Sequence, residues 1–148
     1  MLTYILHIAL SFVSVATFGV LLNIPKRAFI ACGIIGAICW TVFEAFLFMG
    51  TGKIMSTLVA SFTVAIASDR MARHMKMPMI IFNMPGIVPL VPGFIAMTAV
   101  REYVNGDYLS AINNTVHVCM VAGAIAIGLM LSEVFNNNIR RFIVRREG

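Results

Sequence analysis

Asn83-Met84-Pro85-Gly86-Ile87-Val88-Pro89-Leu90-Val91-Pro92-Gly93 sets three prolines and two glycines inside an otherwise apolar segment. Each proline removes a backbone donor and crowds the carbonyl one turn back, while each glycine permits dihedrals that other residues avoid. The run therefore predicts irregular backbone. Its surroundings decide what that means: 60% of the 148 residues are hydrophobic and 11% charged, against roughly 25% charged in a soluble domain, and the mean hydropathy is +0.94. Such a composition reads as an all-α polytopic membrane protein. In lipid, irregular backbone survives only where it is buried in protein or lines a wet cavity, because unsatisfied amides in hydrocarbon are costly. The break is thus the first place to look for a site.

Outward from the break, the apolar runs divide into about five spans. Upstream lie a first span from Leu2 to Leu22, a second from about Ala28 to Met49 and a third from about Ile54 to Asp69. Each is long enough, or nearly so, for a hydrocarbon core of roughly 30 Å. Residues 78–104 make the fourth, interrupted span, and Tyr108 to Val134 the fifth, followed by a basic tail from Phe135 to Gly148 that reads as lying at the membrane surface. Small residues mark the packing faces: Gly33, Gly36 and Ala37 in the second span, Ser56, Ala60, Thr63 and Ala67 in the third, Ala124, Gly128 and Ser132 in the fifth. The Met1–Leu22 segment lacks a basic leader and a small-residue cleavage site, so it reads as a retained span.

Charge sets the orientation. The formal net charge is +5, and the basic residues cluster at Lys26-Arg27, at Arg70, Arg73 and Lys76, and at Arg140, Arg141, Arg145 and Arg146. With those groups cytoplasmic, a fourth span that crosses puts the near-neutral Arg101, Glu102, Asp107 turn outside and the C-terminal arginines inside. A re-entrant loop would export those arginines instead. The expected arrangement is therefore N-terminus out and C-terminus in, with residues 1–148 forming one integral membrane domain. The clusters read as topology rather than nucleic-acid binding.

Glu44 is the outstanding polar residue of the spans. About six residues past the midpoint of its helix, it sits about 8 Å from the midplane at 1.5 Å per residue, where a carboxylate must be paired, protonated or wet. It is a candidate for proton coupling or for one half of a hidden ion pair; the plainer reading is an acid reaching the outer interface or a water-filled vestibule. His7, Ser11 and Ser14 share one helical face, which reads as interhelical glue before it reads as a solute contact. Cys32, Cys39 and Cys119 lie in apolar runs and read as packing residues without a disulfide framework. His74 stands among like charges without a second metal ligand, and no cofactor motif is present: Gly50-Thr51-Gly52-Lys53 lacks the upstream glycine of a phosphate-binding loop. Asn113-Asn114-Thr115 fits a glycosylation sequon but lies too close to the membrane. An intramembrane enzyme would need a nucleophile with its base, or paired acids, and the spans offer an isolated Glu44.

If the fourth span crosses, a half-helix from about Gly93 to Val104 begins near the bilayer centre with free amides and a positive dipole end. Discontinuous helices of secondary transporters hold a substrate carboxylate at such an end, while unwound carbonyls hold cations. Asn83, Pro85, Gly86, Pro89, Pro92 and Gly93 are then the residues expected at or next to the site, acting mostly through backbone groups. The competing reading is a proline kink satisfied by neighbouring helices.

Four stretches together resemble the C-terminal half of the threonine/serine exporter family, in the split form where that half is a separate small protein. They are Asn23-Ile24-Pro25-Lys26-Arg27-Ala28, Ala31-Cys32-Gly33-Ile34-Ile35-Gly36-Ala37, the Pro85–Gly93 run, and Gly106-Asp107-Tyr108-Leu109-Ser110. The resemblance implies a subunit of a bacterial inner-membrane exporter of small amino acids or dicarboxylates, assembled with a second membrane protein resembling the N-terminal half. Glu44 falls on none of these stretches, and its role rests on the membrane argument alone. An odd number of spans fits the split independently, since it lets two consecutive halves adopt opposite orientations. The alternative is a noncatalytic membrane scaffold or assembly protein, which accounts for the packing faces and leaves the break without a purpose.

Overall fold

The computed structural model describes the backbone of residues 2–144 and the side chains of residues 6–136. Among these there are six α-helices, two short 3-10 turns and no strand: α1 (Leu2–Leu21), α2 (Phe29–Phe48), α3 (Lys53–Met75), α4 (Ile80–Gly86), α5 (Gly93–Val104) and α6 (Tyr108–Val144). By length and composition two helical stretches suffice to cross a membrane, Lys26–Phe48 and Tyr108–Asn136, and a third does so if α4 and α5, bent by 51° at their junction, count together.

The helices stop where the backbone turns left-handed. Asn23 at φ 53° ends α1, with the Ile24 amide bonded back to the Gly19 carbonyl at 3.1 Å. Lys76 at φ 54° ends α3 in the same way, through the Met77 amide and the Ala72 carbonyl at 3.0 Å. These closures satisfy carbonyls that the last helical turn leaves over. At the start of α6, the Asp107 carboxylate accepts the Ser110 amide at 3.3 Å, an N-cap that the sequence Gly106-Asp107 prepares.

Two helices run past the ends expected of them. Instead of stopping near Asp69, α3 continues to Met75, since no proline intervenes before Pro78 and Asp69 pairs with Arg73 one turn on, at 2.5 Å. The stretch after Val134 remains helical through Val144 because it holds neither proline nor glycine. Arg145 and Arg146, with the side chains of Arg140 and Arg141, lie outside the described residues.

Packing runs in a row, α1 on α2, α2 on α3, α3 on α6 and α6 on α5, while α4 and the following 3-10 turn wedge against α1, α2 and α3. Small residues make the close approaches possible. A Cβ on Gly33 would enter the Phe12 ring, one on Gly36 would strike Val15, and one on Gly128 would meet the Ser61 hydroxyl and the Leu58 carbonyl. Ala124, Gly128 and Ser132 are buried as a set. The buried stripe of α3 is wider than expected and turned by one position: Ser56, Thr57, Ala60, Ser61, Val64, Ala65, Ser68 and Ala72 are buried, whereas Thr63 and Ala67 are half-buried. The reason is that α3 faces α2, α4 and α6 at once. Most of the large apolar side chains point outward instead, Phe48 and Phe94 each 86% exposed, as a lipid-facing surface requires.

Candidate functional site

The break is narrower than its sequence suggests. Asn83, Pro85 and Gly86 belong to α4, and the non-helical part runs from Ile87 to Pro92, with a 3-10 turn at Val88–Leu90. Pro85 fits the helix because it deletes one hydrogen bond only, the one that would have ended on the Ile81 carbonyl. The Cys32 thiol reaches that oxygen from α2 at 3.5 Å and supplies a weak donor in its place. Pro85 and Gly86 are buried, and a Cβ on Gly86 would stand 2.8 Å from Ile35 and 3.0 Å from Val64. Past the 3-10 turn, the Gly93 amide bonds to the Val91 carbonyl at 2.8 Å across Pro92 (φ −79°, ψ 46°), an inverse γ-turn that aims α5 away from α4. The Ala96 amide then reaches the Pro92 carbonyl at 3.0 Å; among the described residues the Phe94 and Ile95 amides have no backbone acceptor. Gly93 is exposed, with no atom within 4 Å of where its Cβ would stand.

Pro89 lies on the inner side of the break. With His7, Leu10, Ser11 and Ser14 of α1 and Trp40 of α2, it lines a cavity of about 360 Å³. His7 forms part of the wall and also holds Glu44: His7 Nδ1 is 3.0 Å from Glu44 Oε1, and both side chains are partly buried. The His7 ring meets Trp40 edge-on at 5.9 Å, and Trp40 leans on Phe43 at 5.5 Å. Among the described residues, the buried indole Nε1 of Trp40 has no acceptor and the buried Asn83 Oδ1 has no donor. Buried polar atoms in that condition are few in native structures and call for an explanation such as water, an ion or a ligand.

Of the residues singled out in the sequence, the structure thus joins Glu44 to Pro89 through His7. It sets Pro92 and Gly93 on the exposed side of the break and packs Pro85 and Gly86 into the helical core. The pairing of His7 with Glu44 went unread, although a signal was present. His7 precedes the Asn23–Arg27 turn by about as many residues as Glu44 follows it, and in an antiparallel helix pair such mirrored positions meet. No cluster of three metal-ligating side chains occurs among the described residues. A second cavity, about 560 Å³ between α5 and α6, is walled by Ala96, Ala99, Val100, Tyr103 and Ala111 among others and is almost wholly apolar.

These features belong to transport rather than catalysis: apolar helices, a carboxylate held within them, and a helix interrupted beside it. No solved structure matches the chain. The family model described as Threonine/Serine exporter, ThrE, matches residues 7–135, a range that takes in His7, Glu44 and the whole break. The chain is accordingly a multi-pass membrane protein of the threonine/serine exporter family.

Proposed function

We propose that this chain is one subunit of a secondary exporter that moves small amino acids or dicarboxylates out across a bacterial inner membrane. Five crossings, with the N-terminus outside and the C-terminus inside, make it a single half-transporter unit over residues 1–148. A second membrane protein resembling the other half of the family completes the pathway. The observation that carries this reading is the interrupted α4–α5 pair, whose 51° bend is a deflection rather than a reversal. A bend of that size supports a crossing over a re-entrant hairpin, and it opens the backbone where Pro89 meets the cavity. The solute carboxylate binds at the break, with the free first-turn amides of α5 as donors. Gly93, Pro92 and Pro89 touch it or its water; Asn83, Pro85 and Gly86 stand next to it. Glu44 is the proton-coupling group.

The test is transport normalised to the amount of assembled complex. Gly93→Val places a branched side chain over the α5 amides in space that is otherwise open, so assembly should stay near normal while transport is lost. Pro89→Ala combined with Pro92→Ala favours a continuous helix and should weaken solute binding more than thermal stability. A normal transport rate for Gly93→Val would remove the break from the substrate site.

A further inference from the structure

Residues 93–120 form a helical hairpin that no other helix covers among the described residues. α5 packs on α6 and buries only Ala99, while residues 108–120 of α6 bury only Ala111. The register of α6 on α3 explains this. α4 runs back along α3, α5 continues it through the 51° bend and α6 reverses again, so α3 and α6 run the same way. Gly128 lies against Leu58 and Phe62, which brings Lys53, the first residue of α3, level with Val121 or close to it. Residues 108–120 therefore carry the hairpin about 20 Å past the end of α3 at 1.5 Å per residue. Between its two helices lies the apolar cavity of about 560 Å³. Ala96, Ala99, Ala111, Thr115 and Cys119 make its walls low, and Val100, Tyr103, Ile112 and Val116 stand up beside them. In lipid, helices associate where small residues let backbones approach closely. We propose that this groove is the contact between two copies of this chain, whose hairpins close into a four-helix bundle about a twofold axis along the membrane normal.

Shape, extent and charge select a second copy as the occupant. A twofold contact requires a surface that complements itself. This lining holds both the recess and the side chains, Val100, Ile112 and Val116, that fill the recess opposite. Met97, Val100, Tyr103, Val104, Ile112 and Val116 are 45–78% exposed. At on the order of 100 Å² each, they and the small residues between them approach the area of about 800 Å² that a standard interface takes from each partner. At the tip, Glu102 is held by the Asn114 amide, Nδ2 to Oε2 at 2.7 Å. Arg101 and Asp107 have opposite signs at that same end, and neither is ion-paired among the described residues. A twofold axis brings each Arg101 towards the Asp107 of the second copy, whereas a different protein would have to supply both counter-charges. Below the hairpin the small exposed face continues along α6 at Ala122 and Ala126, three and seven residues past Cys119, so the close approach of the two α6 helices extends beyond the groove. The proposal needs the membrane fold and not the transport reading.

Cys119 supplies the test. It is exposed and lines the groove, whereas Cys32 and Cys39 are buried. Oxidation with copper phenanthroline in native membranes should join the chain into a disulfide-linked homodimer on a non-reducing gel, and Cys119→Ser should lose that band. Phe94 is 86% exposed and lies two residues before Ala96, hence on the opposite side of α5 from the groove. Phe94→Cys in the Cys119→Ser background should therefore link at least tenfold less than Cys119 does. Thr115→Trp blocks the groove from an exposed position. It should cut the Cys119 link at least fivefold at an equal amount of membrane-inserted protein, and light scattering of the purified complex should find half as many copies as in the wild type. Absence of the wild-type band, a Phe94→Cys link as strong as that of Cys119, an undiminished link in Thr115→Trp, or Cys119 joined to a different protein would each overturn the proposal. The last result would seat the other half of the transporter in the groove. A linked homodimer that moves no solute leaves the pairing standing and removes the transport reading alone; transport by a complex holding one copy does the reverse.

Discussion

A methyl group added to Gly128 would overlap the Ser61 hydroxyl and stand 2.7 Å from the Leu58 carbonyl and 3.1 Å from the Phe62 amide, so it presses on the backbone of α3 and not on a movable side-chain tip. At Gly33 the obstacle is the Phe12 ring, which can turn aside. Gly128→Ala should therefore destabilise the protein by about 1–3 kcal/mol, the range of overpacked cores, and Gly33→Ala by less. Thermal unfolding in detergent, read on both variants, checks the ordering; equal midpoints would mean that α6 can shift without loss. Residues also show where sequence reading ends. Gly33, Gly36 and Gly128 were legible because helical spacing of small residues is a local pattern. The contact of His7 with Glu44, 37 positions apart, was not, because it depends on how α1 and α2 are set against one another. His7 read alone was interhelical glue.

The break behaves as two pieces with different duties. Pro85 sits inside α4, buried, with the Ile81 carbonyl it leaves over taken up by Cys32. Pro89 and Pro92 shape the turn that leads to α5. Pro85→Ala should accordingly shift the unfolding midpoint while transport per assembled complex stays within about twofold of the wild type, a change worth less than about 0.5 kcal/mol at 25 °C. A transport loss as large as that of the Pro89→Ala, Pro92→Ala pair would place Pro85 in direct contact with the solute. The proline count predicted an interruption and its centre. The edges were misplaced because helix tolerates a proline whose orphaned carbonyl finds another donor, and that donor comes from a helix about fifty residues away. The late ends of α3 and α6 have a related cause: charged and amide side chains can continue a helix beyond the apolar stretch, so hydropathy marks the membrane boundary and not the helix boundary.

At the scale of the molecule, the short turns after α1 and α2 make the first three helices run alternately up and down, which places Lys26 and Arg27 at the same end as Arg70, Arg73 and Lys76. This is the distribution that the positive-inside rule expects of a cytoplasmic face. A cysteine introduced at Gly106, in the exposed α5–α6 turn, should react with an impermeant thiol reagent in intact cells, and one introduced at Arg145 should react only after permeabilisation. Labelling of both from outside would rule out the five-crossing arrangement. Membrane character and the all-helical class were readable from composition; among the described residues there are six helices, of which two, or three with the bent pair, are long and apolar enough to cross, against the five spans expected. The insertion of α4 among α1, α2 and α3 was not readable, since a seven-residue helix flanked by proline gives no signal of which neighbours it meets.

Trp40 is the only tryptophan in the chain, and it stands in the cavity wall with its ring edge-on to His7 at 5.9 Å. The emission of an indole follows the polarity and contacts of its surroundings, which makes this ring an optical gauge built into the site. Its fluorescence should change when a solute enters the cavity, with no label attached. Pro89→Ala combined with Pro92→Ala, expected to weaken solute binding, should blunt that response, so an undiminished change in that variant would trace it to binding elsewhere. The gauge would report the state of the wall in a single turnover, before any solute has been counted on the far side of the membrane.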